Sequence, residues 1–135
     1  MSGEKDLKKL IASMTPVLGE KEYVFGTLVN AESGLLVALE PLGTFWEAEG
    51  LTIIVQKNKA DEHKIEYSGI LKCITLNVHS SLDAVGLTAA VASKLTEFNI
   101  SANVVAAFYH DHVFISSKDA TRALDALKQL SQNGD

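Results

Sequence analysis

The chain has 135 residues, is 47% hydrophobic and 21% charged, and carries a formal net charge of -5. That length suits one compact domain or two small ones that need a shared core, and the composition is globular rather than disordered. The acidic balance, with Arg122 the only arginine, argues against nucleic-acid binding and against sites that clamp phosphoryl or carboxylate groups with several guanidinium groups.

The first six residues are polar and lack the apolar centre of a signal peptide. Leu7, Leu10, Ile11 and Met14 recur at helical spacing and predict a helix that Pro16 ends, with Gly19 as a further breaker. Residues 22–29 alternate and read as a half-buried strand. Asn30 to Gly34 has turn chemistry, Leu35 to Leu39 reads as a second short strand, and Pro41-Leu42-Gly43 breaks the chain again. Leu51 to Val55 is a continuous β-branched run, expected to be a strand covered on both sides. Phe45 and Trp46 precede it and suit a ligand cleft or a dimer contact, although aromatic residues at a strand end are most often core. The charged stretch Lys57 to Lys64 reads as a solvated turn or one short helix, and marks a seam between residues 1–65 and 66–135.

The second half is clearer. Tyr67 to His79 reads as a long strand with Ile70, Ile74, Leu76 and Val78 on one face. Ser80, Ser81 and Asp83 are helix-capping residue types ahead of a helix that runs to Phe98, with Leu87, Val91, Leu95 and Phe98 inward. Asn99 closes that helix, and Ile100 opens a strand through Val104 and Ala106. His110-Asp111 makes a tight connection to the returning strand Val113-Phe114-Ile115. Ser117 then caps a last helix with Ala120, Ala123, Leu124, Leu127 and Leu130 inward, and the tail from Gln132 frays. The order is β-α-β-β-α, most of a ferredoxin-like unit with antiparallel strands, and its closing strand is available from the first half. The fold expected is α+β, with two such subdomains sharing one core and the first irregular.

The run Ser81-Leu82-Asp83-Ala84-Val85-Gly86-Leu87-Thr88, followed after a helix by Asn99-Ile100-Ser101, resembles the ACT domain as found in the regulatory part of aspartate kinases. Glu47-x-Glu49-Gly50-Leu51-Thr52 and His110-Asp111-His112 resemble stand-alone tandem ACT proteins. The resemblance implies a regulatory module that binds an amino acid or related metabolite where two modules meet, has no catalytic activity, and forms a homodimer or larger homo-oligomer. It places Ser81, Gly86, Leu87 and Thr88 at ligand-contacting positions, with Ser101, Ala102 and Asn103 at the start of the contacting strand. The implied site takes in Ser80, Asp83, Val85 and Val104 beside them. Free amides at the start of that helix suit a carboxylate, and Gly86 permits close approach. The same residues also serve plain capping and packing, and Asn103 suits an exposed edge or a hydrogen bond to its surroundings. Lysine-sensitive kinases carry an aspartate at the Asn103 position, so lysine is not the expected ligand.

His110 and His112 fall two apart on a strand, with His79 a conceivable third ligand, yet no metal-site spacing accompanies them. Glu47 and Glu49 alternate as an acid/base pair would, although a solvated face or a structural hydrogen bond explains them as well. No nucleotide-binding or nucleophile motif is present, no cofactor is implied, and Cys73 in a strand-like run reads as a reduced, inert thiol. The apolar runs are too short to cross a bilayer, and the expected compartment is the cytoplasm. The alternative function is an interaction subunit of an enzyme or transporter that takes no metabolite.

Overall fold

The computed structural model describes residues 6–30, 33–78 and 86–133. These form α1 (Leu7–Ser13), β1 (Thr15–Leu28), α2 (Ser33–Leu39), β2 (Gly43–Glu47), β3 (Gly50–Gln56) and α3 (Lys57–Glu62). Then follow β4 (Leu71–Asn77), α4 (Leu87–Glu97), β5 (Asn103–Ala106), β6 (Asp111–Ser116), a 3-10 turn at Ser117–Asp119 and α5 (Ala120–Asn133). The α+β class and the ferredoxin-like arrangement hold. No described helix is long and apolar enough to cross a membrane.

Two compact units emerge: residues 21–71, and residues 1–20 together with 72–135. In the discontinuous unit the strand order is β1-β4-β6-β5. That is the ferredoxin-like order, with residues 15–20 of β1 supplying the fourth strand, as the missing closing strand required. Alternation along the strands sends Ile74 and Leu76 of β4, and Val113 and Ile115 of β6, to one face. There they meet Ile11 of α1, Leu87, Val91 and Leu95 of α4, and Ala123, Leu127 and Leu130 of α5. Asn99 ends α4 in the left-handed conformation (φ 57°), with Ile100 N–H bonded back to the Leu95 carbonyl.

In the contiguous unit the order is β2-β3-β1, all antiparallel, and its own core gathers Val24, Leu28, Leu39, Leu51, Ile53, Val55 and Ala60. Each unit therefore has a separate core, and the expectation of a single shared one is corrected. Residues 35–39 form α2 instead of a strand. A five-residue apolar run has no period long enough to separate the two, and Leu35, Leu36 and Leu39 settle it by packing on the sheet while Val37 faces out. Glu40, at φ 47°, and Pro41 stop the helix.

Gly19 is not a breaker. It lies inside β1, where a Cβ would sit 3.5 Å from the Cys73 carbonyl, an ordinary contact. The edge strand β2 escaped the sequence reading because its two-residue connection to β3, Ala48-Glu49, has none of the usual hairpin residues. On it Phe45 and Trp46 are 71% and 73% exposed, so neither is core. The strand expected over residues 67–79 is shorter, since β4 begins at Leu71. Ser117 opens a 3-10 turn rather than capping α5 directly.

Candidate functional site

Gly86 is the N-cap of α4, in the left-handed region at φ 102° and ψ -12°. Its carbonyl accepts the first helical bond, from Ala90 N–H at 2.8 Å. A glycine cap has no side-chain oxygen for the amides of the first turn, and among the described residues no side chain caps them. Leu87 is buried and anchors this turn in the core, whereas Thr88 is exposed. The cap is closely flanked by α1: a Cβ at position 86 would stand 3.0 Å from Leu7 Cδ2. The capping residues Ser80, Ser81 and Asp83, together with Val85 and His79, lie outside the described residues.

The second group of expected site residues opens β5. Ser101 and Asn103 are exposed, while Ala102 and Val104 alternate with them and pack against the core. Asn103 Nδ2 donates to the Phe114 carbonyl at 3.3 Å, directly across the β5–β6 pair. The eleven residues of α4 span about 16 Å, and the Ile100–Leu95 bond keeps the following chain at the helix C-terminus. Gly86 and Ser101 consequently stand at opposite ends of α4.

His112 and Thr75 meet on the sheet face away from the helices, with His112 Nδ1 and Thr75 Oγ1 3.0 Å apart. Burial holds the His112 imidazole below its ordinary pKa and raises the Asp111 carboxyl above its own, although each histidine beside that carboxyl pulls it back down. His110 Nδ1 is buried and makes no hydrogen bond among the described residues. Among the same residues no three potential ligands gather as a metal centre would require. Cys73 is buried, and loss of hydration raises its thiol pKa, which disfavours the reactive thiolate.

An open cleft of about 800 Å³ is built wholly from residues 21–71, and Phe45 lines it. Its floor is one face of the sheet, carrying Phe25 and Thr27 of β1, Thr52 of β3, and Phe45 and Glu47 of β2. Its wall is the irregular segment Glu66-Tyr67-Ser68. Glu47 accepts a hydrogen bond from the Thr52 hydroxyl, so the structural alternative for this residue is the one observed, while Glu49 sits in the hairpin turn. Tyr67 donates to Asp61 at 2.7 Å, and Asp61 pairs with Lys57 at 2.8 Å, contacts that hold the Asp61 carboxyl below its usual range. Only a hairpin with cross-strand partners could have revealed these residues, and β2 was the strand not foreseen.

An ACT-domain family model matches residues 2–72, and a second ACT-domain model matches residues 70–129. A solved protein of unknown function from Vibrio cholerae, described as a possible transport protein, is 48% identical, with 95% of this chain and 98% of that one covered at a TM-score of 0.86. A protein from Agrobacterium tumefaciens is 18% identical over 87% of this chain and 89% of its own, with a TM-score of 0.73. The ligand-free regulatory subunit of aspartate kinase from Thermus thermophilus shares 12% identity, with 89% and 97% covered, and a TM-score of 0.65. No curated protein matches the chain.

Proposed function

The chain belongs to the ACT-domain family, and on that premise we propose that it binds an amino acid or closely related metabolite, catalyses no reaction, and regulates a partner or its own assembly from the cytoplasm. The observation that carries this reading is the glycine cap of α4, which leaves first-turn amides for a carboxylate and keeps the backbone approachable. The ligand contacts are Ser80, Ser81, Asp83 and Val85 to Thr88, with Ser101 to Val104. Because Gly86 and Ser101 stand at opposite ends of α4, one small ligand touches both groups only when a second copy supplies one of them. The site is thus completed in a homodimer, and a ligand bridging two copies shifts their arrangement through its differential affinity.

A second reading, an interaction subunit that takes no metabolite, draws on the exposed edge. Val37, Phe45 and Trp46 are all strongly exposed, and β2 is the edge strand of its sheet. The Vibrio cholerae relative, described as a possible transport protein, gives that reading a partner class.

A thermal-unfolding screen of the amino acids, keto acids and nucleotides tests the two. A ligand at about 100 times its Kd adds about 2.7 kcal/mol of stability. A hit with an amino acid other than lysine, weakened in Asn103→Ala and accompanied by a change in sedimentation, supports the first reading. A flat screen refutes it, whereas tight lysine binding lost in Asn103→Ala overturns only the expectation that the ligand is not lysine.

A further inference from the structure

The cleft on residues 21–71 shares no lining residue with the amino-acid site proposed above. We propose that it is a second binding site, for a small organic cation: an ammonium group carried on an apolar body.

Charge decides the sign of the guest. The ionisable carboxylates in the lining are Glu47 and Glu66, and no lysine, arginine or histidine lines the cleft among the described residues. An anion would meet like charge with no counterion, whereas an ammonium gains from both carboxylates. The aromatic residues Phe25, Phe45 and Tyr67 in the lining add to that preference, since aromatic faces attract cations and also cover an apolar body. A divalent metal fits poorly by contrast, because it needs about six or more oxygen ligands, whereas Phe25 and Phe45 supply none and the Tyr67 hydroxyl is bonded to Asp61. The volume of about 800 Å³ lies in the range of small-molecule sites.

The walls are built and held. At Gly26 a Cβ would stand 2.7 Å from Ile65 Cγ2, so glycine is what lets the segment leading into the wall cross β1 so closely. Ile65 N–H bonds to the Ala60 carbonyl at 2.8 Å, and its side chain packs on the core of the unit. The Tyr67–Asp61 bond fixes the next ring, and the Thr52 hydroxyl orients Glu47 on the floor. A site whose groups are already positioned loses little ordering entropy when a guest arrives. Phe45, 71% exposed beside this floor, is the surface such a guest would cover.

The test titrates the full chain with phenethylammonium and with phenethyl alcohol, its uncharged counterpart. Calorimetry and the fluorescence of Trp46, the one tryptophan and the neighbour of Phe45, report binding. Saturable binding of the amine, with the alcohol at least about tenfold weaker, is the expected result. Glu47→Gln and Glu66→Gln keep size and fold, and each weakens the amine by roughly threefold or more, as does Phe45→Ala. Asn103→Ala, in the other unit, leaves amine binding unchanged, so this site and the amino-acid site stand or fall separately. Equal affinity for amine and alcohol overturns the proposal. So does unaltered binding in both glutamine variants, no saturable binding of phenethylammonium, cyclohexylmethylammonium or putrescine, or binding of calcium alone that the same variants abolish.

Discussion

Leu7 of the first helix lies directly against Gly86, the cap of α4, so that a methyl group added at position 86 would meet Leu7 Cδ2 at 3.0 Å. The glycine has a second reason to be there, since its φ of 102° is one that side chains resist. Gly86→Ala is therefore expected to destabilise the fold by about 1–3 kcal/mol. Combining it with Leu7→Ala relieves the contact but leaves the backbone strain, so urea unfolding of the double variant should recover only part of the loss.

Gly26 and Ile65 form a pair of the same kind in the other unit, at 2.7 Å for the added Cβ. Here the backbone is unstrained and the clash alone counts. Gly26→Ala should cost about 1–3 kcal/mol. Ile65→Ala removes the obstructing methyl, and a double-mutant cycle should show a favourable coupling of about 1 kcal/mol or more. Simple additivity would mean that the chain passes position 65 less closely than described.

His112 sets one pH dependence. Its folded pKa lies below 6.5 because burial disfavours the imidazolium. Between that depressed value and 6.5 the unfolded chain binds more protons, so His112 makes stability rise with pH and fall as acid protonates it. Asp111, raised above 3.8 by burial, acts with the opposite sign just above that value, where the folded chain holds the extra proton. Denaturation midpoints compared at mildly acidic and neutral pH should drop toward acid in the parent and flatten in His112→Asn.

Cys73 should behave as an inert thiol. Its burial and raised pKa predict slow reaction with a disulfide reagent in the native chain and complete reaction in denaturant. Rapid native labelling would show that this strand opens locally.

Asn103 offers a separate check on local chemistry. Its amide donates to the Phe114 carbonyl, and aspartate at this position would have no proton to give at neutral pH. Asn103→Asp should lower stability by about 0.5–1.5 kcal/mol, with the loss reduced when acid protonates the new carboxyl.

Much of the second half could be read from the sequence because its elements are long and periodic. Leu87, Val91 and Leu95 mark α4, Asn99 marks its end, and Ala123, Leu127 and Leu130 mark α5, all of them where the spacing put them. The first half obscured itself for physical reasons. Leu35 to Leu39 is too short for its period to be measured, and β2 exposes Phe45 and Trp46 where a strand pattern leads one to expect burial. The helix cap at Gly86 is legible because glycine is a local signal. The full lining of the cleft could not be read because Phe25, Phe45 and Tyr67 converge only after three separate segments have folded.

The split of β1 between the units has a consequence for synthesis on the ribosome. Residues 21–71 emerge as one uninterrupted stretch and contain every strand and helix of their own unit. The other unit must hold residues 1–20 in waiting until α5 is made, because Ser131 closes it by donating its hydroxyl to the Met14 carbonyl at 2.7 Å. Contacts that distant in sequence form slowly. Contacts within residues 21–71 need only that stretch, whereas pairing of residues 15–20 with β4 and closure by Ser131 wait for later segments of the chain.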